Sequence, residues 1–576
     1  MEKIDMLIKD GTVFDGAGSE PYEADIGISS DKIAFVNKKS GVRSHKSKVT
    51  ADTIIDARNL AVAPGFIDTH SHSEFTLLAD PHAEGKVCQG ITTEINGNCG
   101  LSAAPLYGDA SLQREDDLKE LGIRERWSTF NQYFHILKKR GIAINFATLA
   151  GHGNIRASVI GYKDERPDDV ALKKMKTFLK KTISEGALGL STGLIYPPGI
   201  YSKTEELIEL CKVLSESCNP YLYPSVLPRP LFNSPLSKGA RLLRRGRIGQ
   251  GHRGVGGFGI YTTHMRSEGD RLLESIEETI RIGIEAGIKI HISHIKTSGR
   301  ENWNKIGHAL SLMEEAGKQG VSLTCDAYPY TASSTDLDTV LPSWVYSGGR
   351  EGELKRLKEA RLREKIKKQI LDIHPAKDYW KKISISSVSS EKNVWMEGRS
   401  LYDIASLQGK KPVDILFDIL IEERLMVSAI FASMHEGNLK KFLSLPCCMI
   451  GTDSAARSFS GPTYKGKPHP RGFGSFPRFL GKYVRGERLM SMSEGIHKIT
   501  VLPAGRFGIH KRGIIKRGAY ADIVIFDHER VIDKPTFKDP FLKPKGIYYV
   551  FVNGVPALWE GQLTDSKSGS ILRHGR

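Results

Sequence analysis

The chain has 576 residues, 40% hydrophobic and 26% charged, with a net charge of +17 and seven cysteines. That length is enough for a large core with an added domain, and the cysteines are too few and too irregularly spaced for a disulfide framework. No apolar run approaches the roughly 18 residues of a membrane span, and Met1-Glu-Lys-Ile-Asp-Met-Leu-Ile8 lacks the order of a signal peptide, so a cytoplasmic protein is expected.

The first sixty residues alternate short β-rich runs with turn signals: Met6 to Ile8, Thr12 to Phe14, Asp25 to Ile28 and Lys32 to Val36. This pattern predicts a small antiparallel sheet. After Pro64-Gly65 short apolar runs alternate with amphipathic helical stretches, as in repeated β/α units. Eight such runs follow in order. The first ends at His70 and His72, the second in Gly97-Asn98-Cys99-Gly100, the third in Gly151-His152-Gly153-Asn154, and the fourth runs from Ala187 into Tyr196. The fifth ends at His264, the sixth at His294, the seventh at Asp326 and the eighth at Asp453. The expected fold is α/β, a (β/α)8 TIM-type barrel with its polar residues at the C-terminal strand ends. After Gly513 the chain returns to short strands, so residues 1–63 and 505–576 are expected to form one small β-sandwich domain beside a barrel over 64–504.

Two insertions interrupt that barrel. From Ser217 to Ser267 there is no acidic residue, while Arg229, Lys238, Arg241, Arg244, Arg245, Arg247, Arg253 and Arg266 supply positive charge. Residues 219–257 therefore read as a flexible basic insertion. The segment lacks the aromatic–basic interleaving of a nucleic-acid binder, which argues against that partner. Over a hundred residues separate the seventh and eighth runs, and a lid is expected over 331–400.

The residues at the strand ends are a zinc donor set. In an extended segment His70 and His72 point the same way, and imidazole, thiolate and carboxylate are the ligands zinc takes. Cys99 with His264 and His294 would make one three-ligand site; His70, His72 and Asp453 would make a second, weaker one, with Cys99 able to bridge. The chemistry is then hydrolytic, with Asp453 placed as the general acid/base. His152 lies in a Gly-His-Gly loop, where it either touches substrate or bonds to backbone. His291, of opposite parity to His294, is expected to face outward, and the other cysteines read as small apolar residues.

With these motifs the chain resembles the N-acyl-D-amino-acid deacylase (D-aminoacylase) family of the amidohydrolase superfamily. The likeness is carried by Pro64 to His72, Gly97 to Gly100, Gly151 to Arg156, Thr263 to Gly269, Ser293 to Lys296, Asp326 to Tyr330, Gly451 to Asp453 and His469 to Arg478. The resemblance implies a tightly held zinc on Cys99, His264 and His294, Asp453 as acid/base, and a small-molecule N-acyl-D-amino acid as substrate. It also implies Arg471, Lys296, Tyr196 and Tyr328 as candidates for holding the substrate carboxylate. The ring-opening relatives, hydantoinases and dihydroorotases, bridge two metals with a lysine on strand four. Ala187 to Thr192 contains no lysine. Hydrolysis of cyclic amides or D-dipeptides, or an inactive barrel with a polyanion-binding segment, are the alternatives. The sequence carries no signal of oligomeric state.

Overall fold

The structure is a computed structural model that describes residues 3–39, 50–216 and 259–574. The expected basic insertion at 219–257 lies outside the described residues.

Both chain ends build one mixed sheet of nine strands, in which Lys3–Val13 lies at the centre. Lys3–Val13 pairs antiparallel with Tyr22–Ser29, which pairs antiparallel with Lys32–Lys38. The expectation of an all-antiparallel sheet fails at the next two strands, because Thr50–Asp56 and Ala61–Pro64 both run parallel to Lys3–Val13. Alternating apolar residues specify a half-buried strand but carry no direction, and the antiparallel partner on the other side of Lys3–Val13 is already in place. The C-terminal strands Ile523–Phe526 and Ile547–Val552 continue the sheet from Ala61–Pro64. Ile8, Val13, Ile26, Val62, Ile523 and Phe551 share its core.

The barrel has the eight expected strands: Phe66–Asp68, Ile91–Asn96, Asn145–Thr148 continued by Ala150–Gly151, Gly189–Gly193, Ile260–His264, Lys289–Ile292, Leu323–Ala327 and Cys448–Ile450. Neighbours pair in parallel, and the first and eighth meet through a parallel bridge from Ser71 to Ser454. The strand that ends in His264 is in register on both sides, with Ile260 opposite Gly189 and Lys289. Strands covered on both faces read as continuous apolar runs rather than alternating ones. Ile67, Ile95, Leu149, Leu188, Ile260 and Met449 fill the interior, which Leu502 and Phe507 of the helix Val501–Phe507 plug from below. The outer helices follow sequence rules: Asp169–Glu185 starts where the Asp168 side chain accepts from Ala171 N, and stops at Gly186, whose φ is 119°.

The insertion after the seventh strand folds around its own core. Ser333–Asp336, Ser428–Phe431 and Ile383–Ser387 form a three-stranded antiparallel sheet. The helices Gly349–Lys358, Ala360–Ile373 and Pro412–Glu422 bury Leu357, Ile366, Leu416 and Phe417 against it. The subdomain thus continues past residue 400 to Phe431, because the central strand of its sheet is the last in sequence. No helix among the described residues is long and apolar enough to cross a membrane.

Lys86 holds the barrel seam. It is fully buried, and Nζ donates to Asp68 Oδ2 at 2.7 Å, Thr452 Oγ1 at 2.7 Å and Ser454 O at 3.0 Å, with Glu94 Oε1 also at 3.0 Å. One ammonium therefore ties the first, second and eighth strands. Lys86→Met strands two buried carboxylates, and we expect it to cost about 3–5 kcal/mol. The midpoint of urea unfolding measures this; an unchanged midpoint would contradict the seam role.

Candidate active site

Cys99 occupies a turn that its neighbours force. Its φ is 52°, and it is flanked by Gly97 and Gly100, both at 74°. A Cβ on Gly97 would meet Leu149 O at 2.2 Å, and one on Gly100 would meet Gly193 N at 2.7 Å. Only glycine fits there. The turn places Cys99 Sγ 3.3 Å from His70 Nε2 and 3.5 Å from His294 Nε2. His264, at the end of the fifth strand, has its ring 4.3 Å from that of His294. Asp453 Oδ1 lies 3.2 Å from His72 Nε2 and 3.5 Å from His70 Nε2, so all six expected donors meet at one strand-end centre.

One donor group is His70, Cys99, His294 and Asp453, whose ligand atoms all lie within 4.8 Å of one another. A second group joins His264 and His294 to Glu268, a residue sequence reasoning did not select. Its signal is present, four residues after His264 in the same motif. The donors fit a cation. Both ring nitrogens of His264 are buried with no hydrogen-bond partner, and an ion bound at one of them would remove that nitrogen's share of the cost. Burial opposes ionisation of the Cys99 thiol, yet His70, His294 and His264 carry it well below an ordinary thiol. Burial likewise works against the Asp453 carboxylate, but Arg471, then His294 and His70, hold it well below the usual carboxylate range. His72 is raised to about 9, where the Asp453 hydrogen bond and Cys99 outweigh burial.

Asp326, which sequence reasoning placed in a motif but not in the site, lies directly beneath. Its Oδ2 is 2.7 Å from His291 Nε2 and 3.3 Å from His70 Nδ1, and its Oδ1 accepts from His294 N at 2.9 Å. His291 is therefore buried inside the barrel, against Phe507, rather than facing outward as parity predicted. The strand ends at Ile292, and His294 turns at φ 34°, so alternation does not extend from one to the other.

The substrate-side candidates divide. Tyr196, Lys296, Tyr328 and Arg471 line one cavity of about 1280 Å³ that also exposes His72, Cys99, His264, His294 and Asp453. Arg471 Nη1 is 2.8 Å from Asp453 Oδ2, and its guanidinium lies 4.5 Å over the Tyr328 ring. Lys296 Nζ is 2.5 Å from Glu268 Oε1 and 2.9 Å from His294 Nδ1. Tyr196 stands 5.1 Å from the His264 ring, and burial pushes its hydroxyl well above the ordinary tyrosine value. His152 is not on this cavity. It opens the helix His152–Ile160 and is buried, with Nε2 2.8 Å from Glu206 Oε1, so its hydrogen-bond partner is a carboxylate outside the cavity. The flanking glycines gave it the look of a loop residue.

Comparison with known proteins shows what the chain is similar to. The model of the amidohydrolase family matches residues 53–211 and 377–557. The chain is 32% identical to the D-aminoacylase of Alcaligenes xylosoxydans xylosoxydans, over 99% of this chain and 98% of that one. It is 31% identical to the N-acyl-D-glutamate deacylase of the same organism, over 99% and 97%. Among solved structures, N-acyl-D-glutamate deacylase from Bordetella bronchiseptica, complexed with zinc and a phosphonate mimic of the tetrahedral intermediate, superposes with a TM-score of 0.77. It shares 30% identity and covers 99% of this chain and 100% of that one.

The thiol environment gives a direct test. In metal-free protein at pH 7, iodoacetamide should alkylate Cys99 ahead of Cys88, whose thiol burial pushes up to about 12. Peptide mass spectrometry reads the order, and added zinc should slow modification of Cys99. Preferential modification of Cys88 would contradict the assigned electrostatics.

Proposed function

The chain belongs to the amidohydrolase family, and from that premise we propose that it is a zinc-dependent deacylase cleaving N-acyl-D-amino acids to a D-amino acid and a carboxylate. The observation that carries this reading is the position of Asp453, 3.2 Å from His72 and paired with Arg471 at 2.8 Å, beside the Cys99–His264–His294 group.

In this reading Cys99, His264 and His294 hold the tighter zinc, and His70, His72 and Asp453 serve a weaker second position. Zinc, when bound, polarises the amide carbonyl and lowers the pKa of water. Asp453 removes a proton from the attacking water and delivers it to the leaving nitrogen, which balances the hydrolysis. Arg471 keeps that carboxylate charged between turnovers. Arg471 and Lys296 are cations near the donors, suited to the free carboxylate of the substrate, and the Tyr328 ring seats the guanidinium from below. Tyr196 retains its proton and is placed beside His264 to donate to the oxygen that gains charge. Residues of the inserted sheet, among them Ser334 and Thr335, line the same cavity as these groups. A cytoplasmic location goes with this reading, supported by six free cysteines, all buried, among the described residues.

Purified protein should hold about one or two zinc per chain and hydrolyse acetyl-D-amino acids in preference to their L enantiomers. Cys99→Ala and His264→Ala should each abolish turnover and lower the zinc content. Asp453→Asn should reduce kcat by about 10²–10⁴-fold with a smaller change in KM. Full turnover by the metal-depleted Cys99→Ala protein would refute the proposal.

A further inference from the structure

The cavity extends from the strand-end donors under the inserted subdomain, and its charge is opposite to that of the chain. Eleven acidic and six basic side chains line it, although the chain as a whole carries +17. Three of those acids gather on the inserted subdomain: Asp336 at the end of the strand Ser333–Asp336, Asp338 in the turn Leu337–Val340, and Glu353 in the helix Gly349–Lys358. None of the three forms an ion pair among the described residues. Arg114, Arg350 and Arg356 stand near the cluster and oppose the upward shift of its carboxyl groups, but the ion pairs Arg114 and Arg350 form are with Asp117 at 2.6 Å and with Asp116 and Asp117 at 3.5 Å. Glu353 is only 3% exposed, yet it borders the cavity and its Oε1 has no hydrogen-bond partner. Burial, reinforced by the neighbouring carboxylates, pushes Asp338 up to about 8 and Glu353 up to about 9. Glu353 is buried, Asp338 half-buried and Asp336 exposed, and a cation placed among them favours their ionised forms and gives the orphan oxygen a partner.

One strand joins this cluster to the reaction centre. Ser334 O accepts from Arg471 Nη2 at 3.1 Å, and Thr335 Oγ1 meets Tyr196 Oη at 2.8 Å. Asp336 is the next residue. A substrate whose carboxylate is held at Arg471 and whose amide lies at His264 shares its cavity with this acidic wall.

We propose that Asp336, Asp338 and Glu353 form a subsite for a cationic side chain, so that the preferred substrates are N-acyl-D-amino acids carrying an ammonium or guanidinium group. This rests on the deacylase reading above and adds the side chain to it. The three carboxylates are not among the donor groups whose atoms close within 4.8 Å of one another, so the cluster suits an extended organic cation better than a metal ion.

The test compares kcat/KM of the zinc-loaded protein for Nα-acetyl-D-lysine, for Nα,Nε-diacetyl-D-lysine, which keeps the length and loses the charge, and for Nα-acetyl-D-glutamate. We expect the first to exceed each of the others by about tenfold or more. The double variant Asp336→Asn/Asp338→Asn should bring the ratio of the two lysine derivatives toward one, and Glu353→Gln should move it the same way if the double variant folds poorly. Hydrolysis with no advantage for the charged lysine overturns this inference and leaves the deacylase reading standing. Hydrolysis of none of the three, nor of any other acetyl-D-amino acid, overturns both.

Discussion

Asp326 is the carboxylate on which the reaction centre depends. It comes from the seventh strand, is fully buried, and braces the first and sixth strands through His70, His291 and the His294 backbone. Burial alone would drive it neutral, but His70 and His291 hold its pKa well below the usual carboxylate range. A carboxylate accepts only, so it places the His70 proton on Nδ1 and leaves Nε2 turned toward Cys99 and Asp453. The same contact that closes the barrel interior therefore sets the orientation of a donor. Stability and site geometry are coupled through one anion.

The second constraint is in the backbone. Cys99, His294 and Asp453 all adopt positive φ, at 52°, 34° and 49°, a region that side chains other than glycine rarely enter. Each turns the chain off its strand axis at the point where its side chain is needed. Such conformations cost of order 1–3 kcal/mol apiece and persist only where surrounding contacts impose them. Here the flanking glycines, the His294 N–H to Asp326, and the Asp453 N–H to His70 O at 2.8 Å supply those contacts.

Much of this was legible in the sequence. The eight barrel strands and the donors at their ends follow from apolar runs that stop at polar residues. Four of the five substrate-side candidates line the cavity, and His152 does not. What was hidden has physical causes. Strand direction in the small domain is a property of pairing, not of pattern, so the two parallel strands could not be read. His291 was misassigned because period-two alternation was carried past the end of a strand into a left-handed turn. Asp326 is a carboxylate whose importance lies in what it touches, and neither composition nor spacing reports that, whereas the position of Glu268 four residues after His264 does carry a signal.

The division of labour within the chain follows from where the two cores lie. The donors sit on strand ends above a barrel interior plugged by Leu502 and Phe507, whereas the inserted subdomain buries Leu357, Ile366, Leu416 and Phe417 in a separate cluster. Yet its first strand is hydrogen-bonded to the reaction centre, through Ser334 to Arg471 and through Thr335 to Tyr196. A substitution on the outer part of that subdomain perturbs its own packing and the cavity wall without moving Cys99, His264 or His294. Chemistry held by the barrel and selectivity carried by the insertion can therefore vary separately, and the strand Ser333–Asp336 is the point at which a change in one reaches the other.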